Sequence, residues 1–390
     1  MNKKKVYIDV TQFIQIDALT GIQRVMRELI FRLLKNPELE TFLICYRPNI
    51  EKYELLRSDG FLLYYQQGMG KKSAFCSQNH MRIEELERGA IFFEIDVAWS
   101  AFLKRSYLLP MLKKQGLILV SMIYDIMAIT HFQYFHPLFT YEFMEFISAH
   151  ILYDDLILVN TADTRDTLIS FAKRAGVESL RVEVVPLGGD FQGREEASDS
   201  TEQVQESVMQ TAGLKPYLLL VGTIEPRKNH RLLYEAYKRR LHEEEINIIF
   251  AGRVGWIEKE FMETLYQDPD FGTRIHHISN ASNKDLRYLY HHAFAVAFPT
   301  HMEGYGLPVV EALENGDVVI ASDIPVLREV GGDYCIYFKE NDVDDFSQKV
   351  VDLMHDKESY STLREHISAY RVHTWDQTAE QVALLLRSGL

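Results

Sequence analysis

Short apolar runs alternate with stretches of helical spacing, and this alternation occurs twice along the chain. The first series comprises residues 6–10, 41–45, 91–93, 117–123, 156–159 and 182–185. The second comprises residues 217–221, 246–251, 274–278, 293–298, 318–321 and 335–338. Strands that alternate with helices favour parallel sheets with helices on both faces. The sequence therefore predicts an α/β fold with two Rossmann-like, doubly wound domains.

A polar stretch separates the two series. After Pro186 the chain passes two glycines and enters the polar residues 194–205. Exposed polar segments of this kind connect domains. We therefore predict an amino-terminal domain at 1–190, a linker at 191–213, a carboxyl-terminal domain at 214–373 and a final helical segment at 374–390.

The charge balance argues against one large class of functions. The 390 residues include 42 Lys and Arg against 56 Asp and Glu, which gives a net charge of −14. Residues 1–190 are nearly neutral, with 22 basic and 23 acidic side chains, so residues 191–390 hold 20 basic and 33 acidic ones. Binding of nucleic acid through its phosphates relies on Lys and Arg. We therefore expect no nucleic-acid partner.

The cysteines bear on the cellular compartment. Cys45, Cys76 and Cys335 occur singly, without the spacing of a metal site or a disulfide framework. They are typical of reduced thiols in a cytosolic protein. The sequence also shows neither a secretory signal nor an apolar run of the roughly 18 residues that a membrane span requires. We therefore expect a cytoplasmic protein.

The motif H-M-E-G-Y-G-L-P-V-V-E follows an apolar strand of the second series. Gly304 and Gly306 lack a Cβ atom, so a ligand can approach the backbone, and Pro308 suits the first position of a helix. The free N–H groups and the dipole of such a helix start attract anions. Two carboxylates, Glu303 and Glu311, flank this start. Loops of similar composition occur in other α/β proteins, so an ordinary turn is the alternative.

A second motif, G-T-I-E-P-R-K-N, follows the first strand of the second series. Gly222 frees the backbone, and Arg227 and Lys228 bring two cations to a helix start that Asn229 can cap. A guanidinium binds phosphate oxygens as a fork and an ammonium adds a mobile charge, so this pair suits a diphosphate. Solvated basic residues at a helix start are the alternative. The lack of a G-x-G-x-x-G motif argues against a dinucleotide.

The two motifs together resemble the signature of the retaining glycosyltransferases of the family 4 type, which include bacterial mannosyl-, rhamnosyl- and glucosyltransferases. The segment A-G-R-V-G-W at 251–256 is similar to a third family segment. The resemblance implies the GT-B fold, in which two Rossmann-like domains face a central cleft. It also implies that the segment 374–390 crosses back to the first domain.

The resemblance assigns roles to individual residues. Arg227 and Lys228 would neutralise the leaving diphosphate, and this electrostatic stabilisation would be the main catalytic contribution. Glu303 would hold the sugar, and Glu311 would accept hydrogen bonds from the ribose hydroxyls. The other donor-binding positions that it implies in this domain are Gly222, Arg253, Gly304, Tyr305, Gly306 and Leu307.

The first domain matches the family more loosely. Gly21 lies in T-G-I-x-R, which resembles a glycine-bearing donor loop of mannosyl- and rhamnosyltransferases; many relatives have two glycines there, and a simple tight turn is the alternative. Relatives often carry His-Asp near the transferred sugar, at the end of a strand. Tyr124 stands in place of that histidine, so only Asp125 carries over, as a catalytic candidate. His131 stays open as a surface or core histidine.

The predicted function is transfer of a hexose from a nucleoside diphosphate sugar to a glycan or lipid-linked saccharide in surface polysaccharide synthesis. GDP-mannose is the first candidate donor, followed by dTDP-rhamnose and a UDP-sugar. Family chemistry implies neither a metal nor a cofactor, and a substitution in which the leaving phosphate accepts the proton of the acceptor. The alternatives are a GT-B epimerase or phosphorylase and a non-catalytic subunit that binds sugar nucleotides. The first would need further carboxylates or a pyridoxal lysine, and the second would have lost a phosphate cation or a glutamate.

Residues 100–116 interleave aromatic and leucine side chains with four basic ones, at Lys104, Arg105, Lys113 and Lys114. Basic amphipathic segments can lie on anionic membranes. A domain helix with a solvated basic face is the alternative, and Pro110 interrupts the pattern. Peripheral contact of the first domain with the inner face of the cell membrane is therefore a hypothesis at this point.

Overall fold

The computed structural model describes residues 3–15, 21–66, 75–77, 79–96, 98–190, 204–213, 216–255 and 258–388. These residues divide into two compact units. The first unit holds the described residues up to Gly188 and those from His373 onward, and the second holds the described residues from Gly189 to Val372. Residues 191–203 of the predicted linker lie outside the described residues.

Eight strands form the sheet of the first unit within the described residues. They are β1 (Lys4–Asp9), β2 (Leu39–Arg47), β3 (Lys52–Leu55), β4 (His80–Met81), β5 (Ile91–Glu94), β6 (Ile118–Ile123), β7 (Leu156–Val159) and β8 (Val182–Val184). Their order is β4-β3-β2-β1-β5-β6-β7-β8. Neighbours are parallel except for the pairs that β3 makes with β2 and β4. The sequence analysis missed β3 and β4, because short edge strands lack the continuous apolar run of a strand buried on both faces.

Helices connect these strands. They are α1 (Thr11–Gln15), α2 (Gly21–Lys35), α3 (Ser58–Gln66), α4 (Arg105–Gln115), α5 (Met127–Thr130), α6 (Pro137–Tyr153) and α7 (Ala162–Arg174). Helix α4 packs on α6, and α2 packs on β2. Across the described ranges, no helix combines the length and the hydropathy that crossing a membrane requires.

Buried charges join helices to strand ends in the first unit. Arg105, at the start of α4, contacts Asp9 at the end of β1 at 3.0 Å and pairs with Glu94 at the end of β5. His150 of α6 lies 3.3 Å from Glu94 and 2.9 Å from Asp154. Burial lowers the pKa of His150, but Asp154 and Glu94 outweigh burial and raise it to about 9. These ion pairs therefore tie two helices to neighbouring strands.

Six strands form the sheet of the second unit within the described residues. They are β9 (Tyr217–Val221), β10 (Asn247–Ala251), β11 (Ile275–Ile278), β12 (Ala295–Phe298), β13 (Val319–Ser322) and β14 (Ile336–Phe338). All are parallel, in the order β11-β10-β9-β12-β13-β14. Strands β9 to β11 extend in one direction and β12 to β14 in the other. The topological switch point of this sheet therefore lies between β9 and β12, where doubly wound sheets bind ligands at the carboxyl ends of the strands.

The helices of the second unit are α8 (Glu206–Ala212), α9 (His230–Ala236), α10 (Lys259–Gln267), α11 (Asn283–His292), α12 (Leu307–Glu314), α13 (Pro325–Gly331), α14 (Val343–His355) and α15 (Lys357–Ile367). Helix α8 lies inside the predicted linker, but Val208 and Ala212 are buried in the core of this unit. The structure differs from the prediction here because two apolar side chains on one short helix suffice to attach a segment of polar composition.

The final helix, α16 (Trp375–Ser388), belongs to the first unit and packs on α2. The Thr378 hydroxyl donates to the carbonyl of Pro186 at 2.9 Å, and the Gln381 amide donates to that of Val184 at 2.9 Å. A Cβ atom at Gly188 would lie 2.4 Å from the backbone nitrogen of Trp375. The start of α16 therefore leaves no room for a side chain at residue 188.

Candidate functional site

The loops that follow β9 and β12 meet at the switch point of the second sheet. The carbonyl of Arg227, in the first loop, accepts hydrogen bonds from the His301 amide at 2.8 Å and from the Thr300 hydroxyl at 2.9 Å. The two sequence motifs are far apart in the chain but therefore form one continuous surface in the structure. Thr300 is 1% exposed and was not identified from the sequence.

Four charged side chains cluster on this surface. Glu303 Oε1 lies 2.8 Å from Arg227 Nη1, and the same oxygen pairs with Lys228 Nζ. Glu225 Oε1 lies 2.6 Å from Arg227 Nε, so the guanidinium is held between two glutamates. The structure thus brings together three of the predicted catalytic residues, Arg227, Lys228 and Glu303. Glu225 is an addition, although it lies within the second motif.

The cluster is buried, and this determines its ionisation. Burial opposes the charge of Glu303, but Arg227 and Lys228 outweigh it and lower the pKa of Glu303 to about 2. For Glu225 the balance is the reverse, since burial outweighs the same two cations and raises its pKa. Burial also lowers the pKa of Lys228 against the attraction of Glu303. Two cations and two carboxylates share a site largely closed to water.

Helix α12 begins at Leu307, with Gly306 as its N-cap residue. Gly306 has φ +94°, which favours glycine, and a Cβ atom there would lie 3.0 Å from a methyl group of Leu327. The prediction that Pro308 is the first helical residue was wrong by one position, because Leu307 already has helical geometry. The backbone amides of Gly304 and Tyr305 lie between Glu303 and this helix, and that of Leu307 lies in its first turn.

Glu311 lies one turn into α12, at its fifth residue, and is 8% exposed. The Tyr290 hydroxyl donates to Glu311 Oε2 at 3.4 Å, and the Asn315 side chain donates to the Glu311 carbonyl at 2.7 Å. Glu311 therefore lies just past the middle of this eight-residue helix, and a side chain of α11 contacts its carboxylate. Tyr290 was not identified from the sequence because it belongs to a different helix, α11.

The loops after β9 and β10 pack closely against each other at two glycines, Gly222 and Gly252. A Cβ atom at Gly252 would lie 2.0 Å from the carbonyl oxygen of Gly222. Gly222 itself has φ +144°, and a Cβ atom there would lie 3.7 Å from Lys228 Cε. The carbonyl of Arg253 accepts from the Ile224 amide at 2.8 Å, while the Arg253 side chain is exposed. Backbone contacts therefore fix this edge of the site.

The start of α9 differs from the prediction. Asn229 is the N-cap residue, but it has φ +53° and its side chain makes no capping hydrogen bond; its amide donates to Asn341 Oδ1 at 3.3 Å. His230 follows and is 2% exposed, and its ring has no hydrogen bond of good geometry within the described residues. Burial, with help from Lys228 and His277, lowers the pKa of His230 to about 3. His230 is therefore a buried, neutral histidine close to Lys228.

Two of the predicted site residues, Gly21 and Asp125, lie in the first unit. Gly21 is exposed and is the first residue of α2. Asp125 is half-buried after β6, and its Oδ1 accepts from the Met127 amide at 2.9 Å. Tyr124 is buried and donates its hydroxyl to the carbonyl of Ile95 at 2.8 Å. Tyr124 therefore links the end of β6 to the residue that follows β5.

Comparison with solved structures identifies the fold class of this architecture. The structure of Anabaena Alr3699/HepE in complex with UDP and glucose matches with a TM-score of 0.67 at 13% sequence identity, over 99% of this chain and 100% of that one. At this identity the likeness shows the fold alone. The fold is GT-B, with two Rossmann-like domains built on parallel sheets, as the sequence predicted.

Comparison with sequences places the family. Residues 204–370 match the model of the Glycosyl transferases group 1. The chain is 26% identical to the serotype-specific mannosyltransferase WbdA of Escherichia coli over 99% of its length and 46% of that protein. A 145-residue part is 36% identical to the O-antigen chain mannosyltransferase B of Escherichia coli, over 36% of this chain and 37% of that protein. The chain spans about half the length of WbdA. Residues 204–370 therefore match the group 1 glycosyltransferases, the family 4 type that the motifs of the sequence indicated.

Proposed function

We propose that this protein transfers a hexose, with retention of the anomeric configuration, from a nucleoside diphosphate sugar to a glycan or lipid-linked saccharide. The observation that carries the proposal is the cluster of Arg227, Lys228 and Glu303 at the switch point of the second sheet. Two cations beside a glycine-bearing helix start form a surface suited to a diphosphate. The match of residues 204–370 to the group 1 glycosyltransferases supports the reaction type.

In the proposed reaction Arg227 and Lys228 stabilise the charge that develops on the leaving diphosphate. Charge stabilisation by groups already in place is commonly the largest contribution to such a reaction. The amides near Gly304 and Leu307 bind phosphate oxygens, Glu303 binds the sugar hydroxyls, and Glu311 binds the ribose. The leaving phosphate accepts the proton of the acceptor hydroxyl. Gly21 and Asp125 are the proposed contributions of the first unit to donor binding and catalysis.

The proposed donor is GDP-mannose, and the proposed setting is surface polysaccharide synthesis. The support comes from relatives that are named mannosyltransferases, including WbdA and the O-antigen chain mannosyltransferase B. A thermal-shift screen with GDP-mannose, UDP-glucose and dTDP-rhamnose tests the donor. A transfer assay on lipid-linked saccharides, with the anomeric configuration of the product read by NMR, tests the reaction. We expect stabilisation by GDP-mannose above the others. If none of the three sugar nucleotides binds, the proposal fails.

We also propose that the first unit makes a peripheral contact with an anionic membrane. Phe102 is 74% exposed and Tyr141 is 72% exposed, and Tyr107 and Leu138 are exposed as well. They lie on or beside α4 and α6, which pack together, and Lys114 in the last turn of α4 is exposed as well. Exposed aromatic side chains and a lysine on one pair of helices suit the interface of an anionic bilayer.

Vesicle sedimentation tests this contact. The wild-type protein should sediment with phosphatidylglycerol vesicles more than with phosphatidylcholine vesicles. Replacement of Phe102 and Tyr141 by serine should release it. The control is Leu384→Ser, which removes an exposed apolar side chain from α16 of the same unit and should leave sedimentation unchanged. Equal release by both variants, or no sedimentation of the wild type, would rule the contact out.

A further inference from the structure

Glu303 occupies the cation pair that the donor requires. Its Oε1 atom accepts from Arg227 Nη1 at 2.8 Å and from Lys228 Nζ. The side chains of Glu303 and Lys228 are 8% and 9% exposed, so little water reaches the contact. The main-chain carbonyl of Met302, next to Glu303, also lies 3.4 Å from Arg227 Nη1. An ionised carboxylate therefore lies on the two groups that are proposed to bind phosphate.

The charge balance of the cluster makes this arrangement consequential. Arg227 and Lys228 contribute two positive charges, and Glu225 and Glu303 contribute two carboxylates. A nucleoside diphosphate adds further negative charge. Like charges a few ångströms apart repel strongly where water is excluded. Phosphate oxygens and the Glu303 carboxylate therefore cannot both take the N–H groups that they would share.

Glu225 does not share this conflict to the same degree. It pairs with Nε of Arg227, whereas Glu303 pairs with Nη1 on another part of the guanidinium. Glu225 therefore orients the guanidinium from one edge. Within the described residues, the carboxylate that pairs with Lys228 is that of Glu303. The side chain that a phosphate has to replace is Glu303.

We propose that Glu303 is an internal counter-ion, and that a nucleoside diphosphate binds by displacing its carboxylate from Arg227 and Lys228. This inference rests on the proposed function, since it takes a nucleoside diphosphate as the ligand. The displaced carboxylate then becomes available to the sugar hydroxyls. One side chain thereby couples the arrival of the phosphates to the capture of the sugar.

The test is the binding of GDP and UDP to Glu303→Gln, measured by isothermal titration calorimetry. Glutamine keeps the size of the side chain and removes the charge that competes with phosphate. We expect the diphosphate to bind about tenfold more tightly, in line with the strength of one charged hydrogen bond. The affinity for guanosine or uridine, which lack phosphates, should not change. Sugar transfer should fall, because the sugar loses its carboxylate.

The matched control is Glu235→Gln. Glu235 lies on the surface of α9 and pairs with Arg239 at 2.6 Å, so the variant makes the same change of charge in the same unit without touching Arg227 or Lys228. Its affinity for GDP and UDP should stay within about twofold of wild type, since exposed charges are well screened. A gain equal to that of Glu303→Gln would make the effect a general one of net charge and would overturn the proposal.

Two further results distinguish a failure of the counter-ion role from a failure of the proposed function. Unchanged or weaker binding of GDP and UDP to folded Glu303→Gln would overturn the counter-ion role, whereas a wild-type protein that binds neither would overturn the proposed function. Glu303→Asp provides a second variant if the glutamine form does not fold. It retains the charge but is one methylene shorter, and we expect a smaller gain in affinity than for glutamine. A loss of affinity in Glu303→Asp would also count against displacement.

Discussion

Glu311 is the residue with the most specific proposed contact. One of its carboxylate oxygens accepts a hydrogen bond from the Tyr290 hydroxyl, and the residue lies within α12. Charged hydrogen bonds contribute about 1.5 to 3 kcal/mol, against about 1 kcal/mol for neutral ones. We therefore expect Glu311→Gln to weaken donor binding moderately and Glu311→Ala to weaken it about 10- to 100-fold.

A double-mutant cycle checks the ribose contact. A 2′,3′-dideoxy nucleoside diphosphate should bind the wild-type protein weakly and should lose little further affinity in Glu311→Ala. Calorimetry on the four combinations gives the coupling between the side chain and the hydroxyls. If the two losses simply add, Glu311 does not contact the ribose.

Asp317 gives a prediction about pH. This residue is 3% exposed, and its Oδ2 has no hydrogen-bond partner within the described residues. Burial raises its pKa from 3.8 to about 8, against the weaker attraction of Arg364. The folded state therefore holds a proton that the unfolded state releases above pH 3.8. The free energy of unfolding should fall as the pH rises from about 4 to 8, and level off above that.

Asp317→Asn removes this dependence. The variant should melt at a higher temperature than the wild type, by at least about 2 °C at pH 8, with a difference that shrinks towards pH 4. Asp333→Asn, on an exposed residue, is the control and should not alter the profile. Parallel curves for wild type and Asp317→Asn between pH 4 and 9 would contradict the assignment.

At the scale of single residues, the sequence predicted which side chains share the site but not how their charges are paired. It placed Arg227, Lys228 and Glu303 in one site from the motifs. It could not show that Glu303 pairs with both cations, because pairing depends on side-chain geometry and burial. The burial and neutral charge of His230 could not be predicted for the same reason, since they result from the packing of α9 against the sheet.

At the element scale, tight backbone packing fixes the edge of the site. Gly252→Ala would bring a Cβ atom within 2.0 Å of the Gly222 carbonyl, so one loop must move. We expect a loss of stability of about 1 to 3 kcal/mol, as for other overpacked positions, together with weaker binding of nucleoside diphosphates. Chemical denaturation and calorimetry measure the two effects.

Gly213→Ala is the matched control for that variant. Gly213 has φ −68°, and the nearest atom to an added Cβ would be the Gln210 carbonyl oxygen at 3.2 Å. Its stability and its affinity for nucleotides should change little. A similar loss in both variants would show that the contact between the loops does not matter.

The elements themselves were largely predictable. Each apolar run that was predicted as a strand corresponds to a strand of one of the two sheets, because parallel strands buried on both faces retain continuous apolar sequences. The short strands β3 and β4 were missed because the edge of a sheet imposes no such pattern. Helix α8 was missed because its polar residues masked the buried Val208 and Ala212.

At the scale of the whole molecule, we expect transfer activity to survive EDTA. The proposed neutralisation of the diphosphate falls to Arg227, Lys228 and the start of α12. Within the described ranges, no group of three His, Cys, Asp or Glu side chains is arranged to hold a metal ion. Transfer assays with and without EDTA should give the same rate to within about twofold. Loss of activity in EDTA, with recovery on addition of Mg²⁺ or Mn²⁺, would refute the assignment of the phosphate cations.

The close contact of Gly188 with Trp375 has a consequence for the order of folding. The first unit is built from two stretches of chain that flank the second, so a ribosome completes the second unit before α16 emerges. Domains usually fold in the order of their synthesis. Here the second unit can complete its core while the nascent first unit still lacks the helix that covers α2. The part of the protein that is synthesised first is therefore the part that matures last.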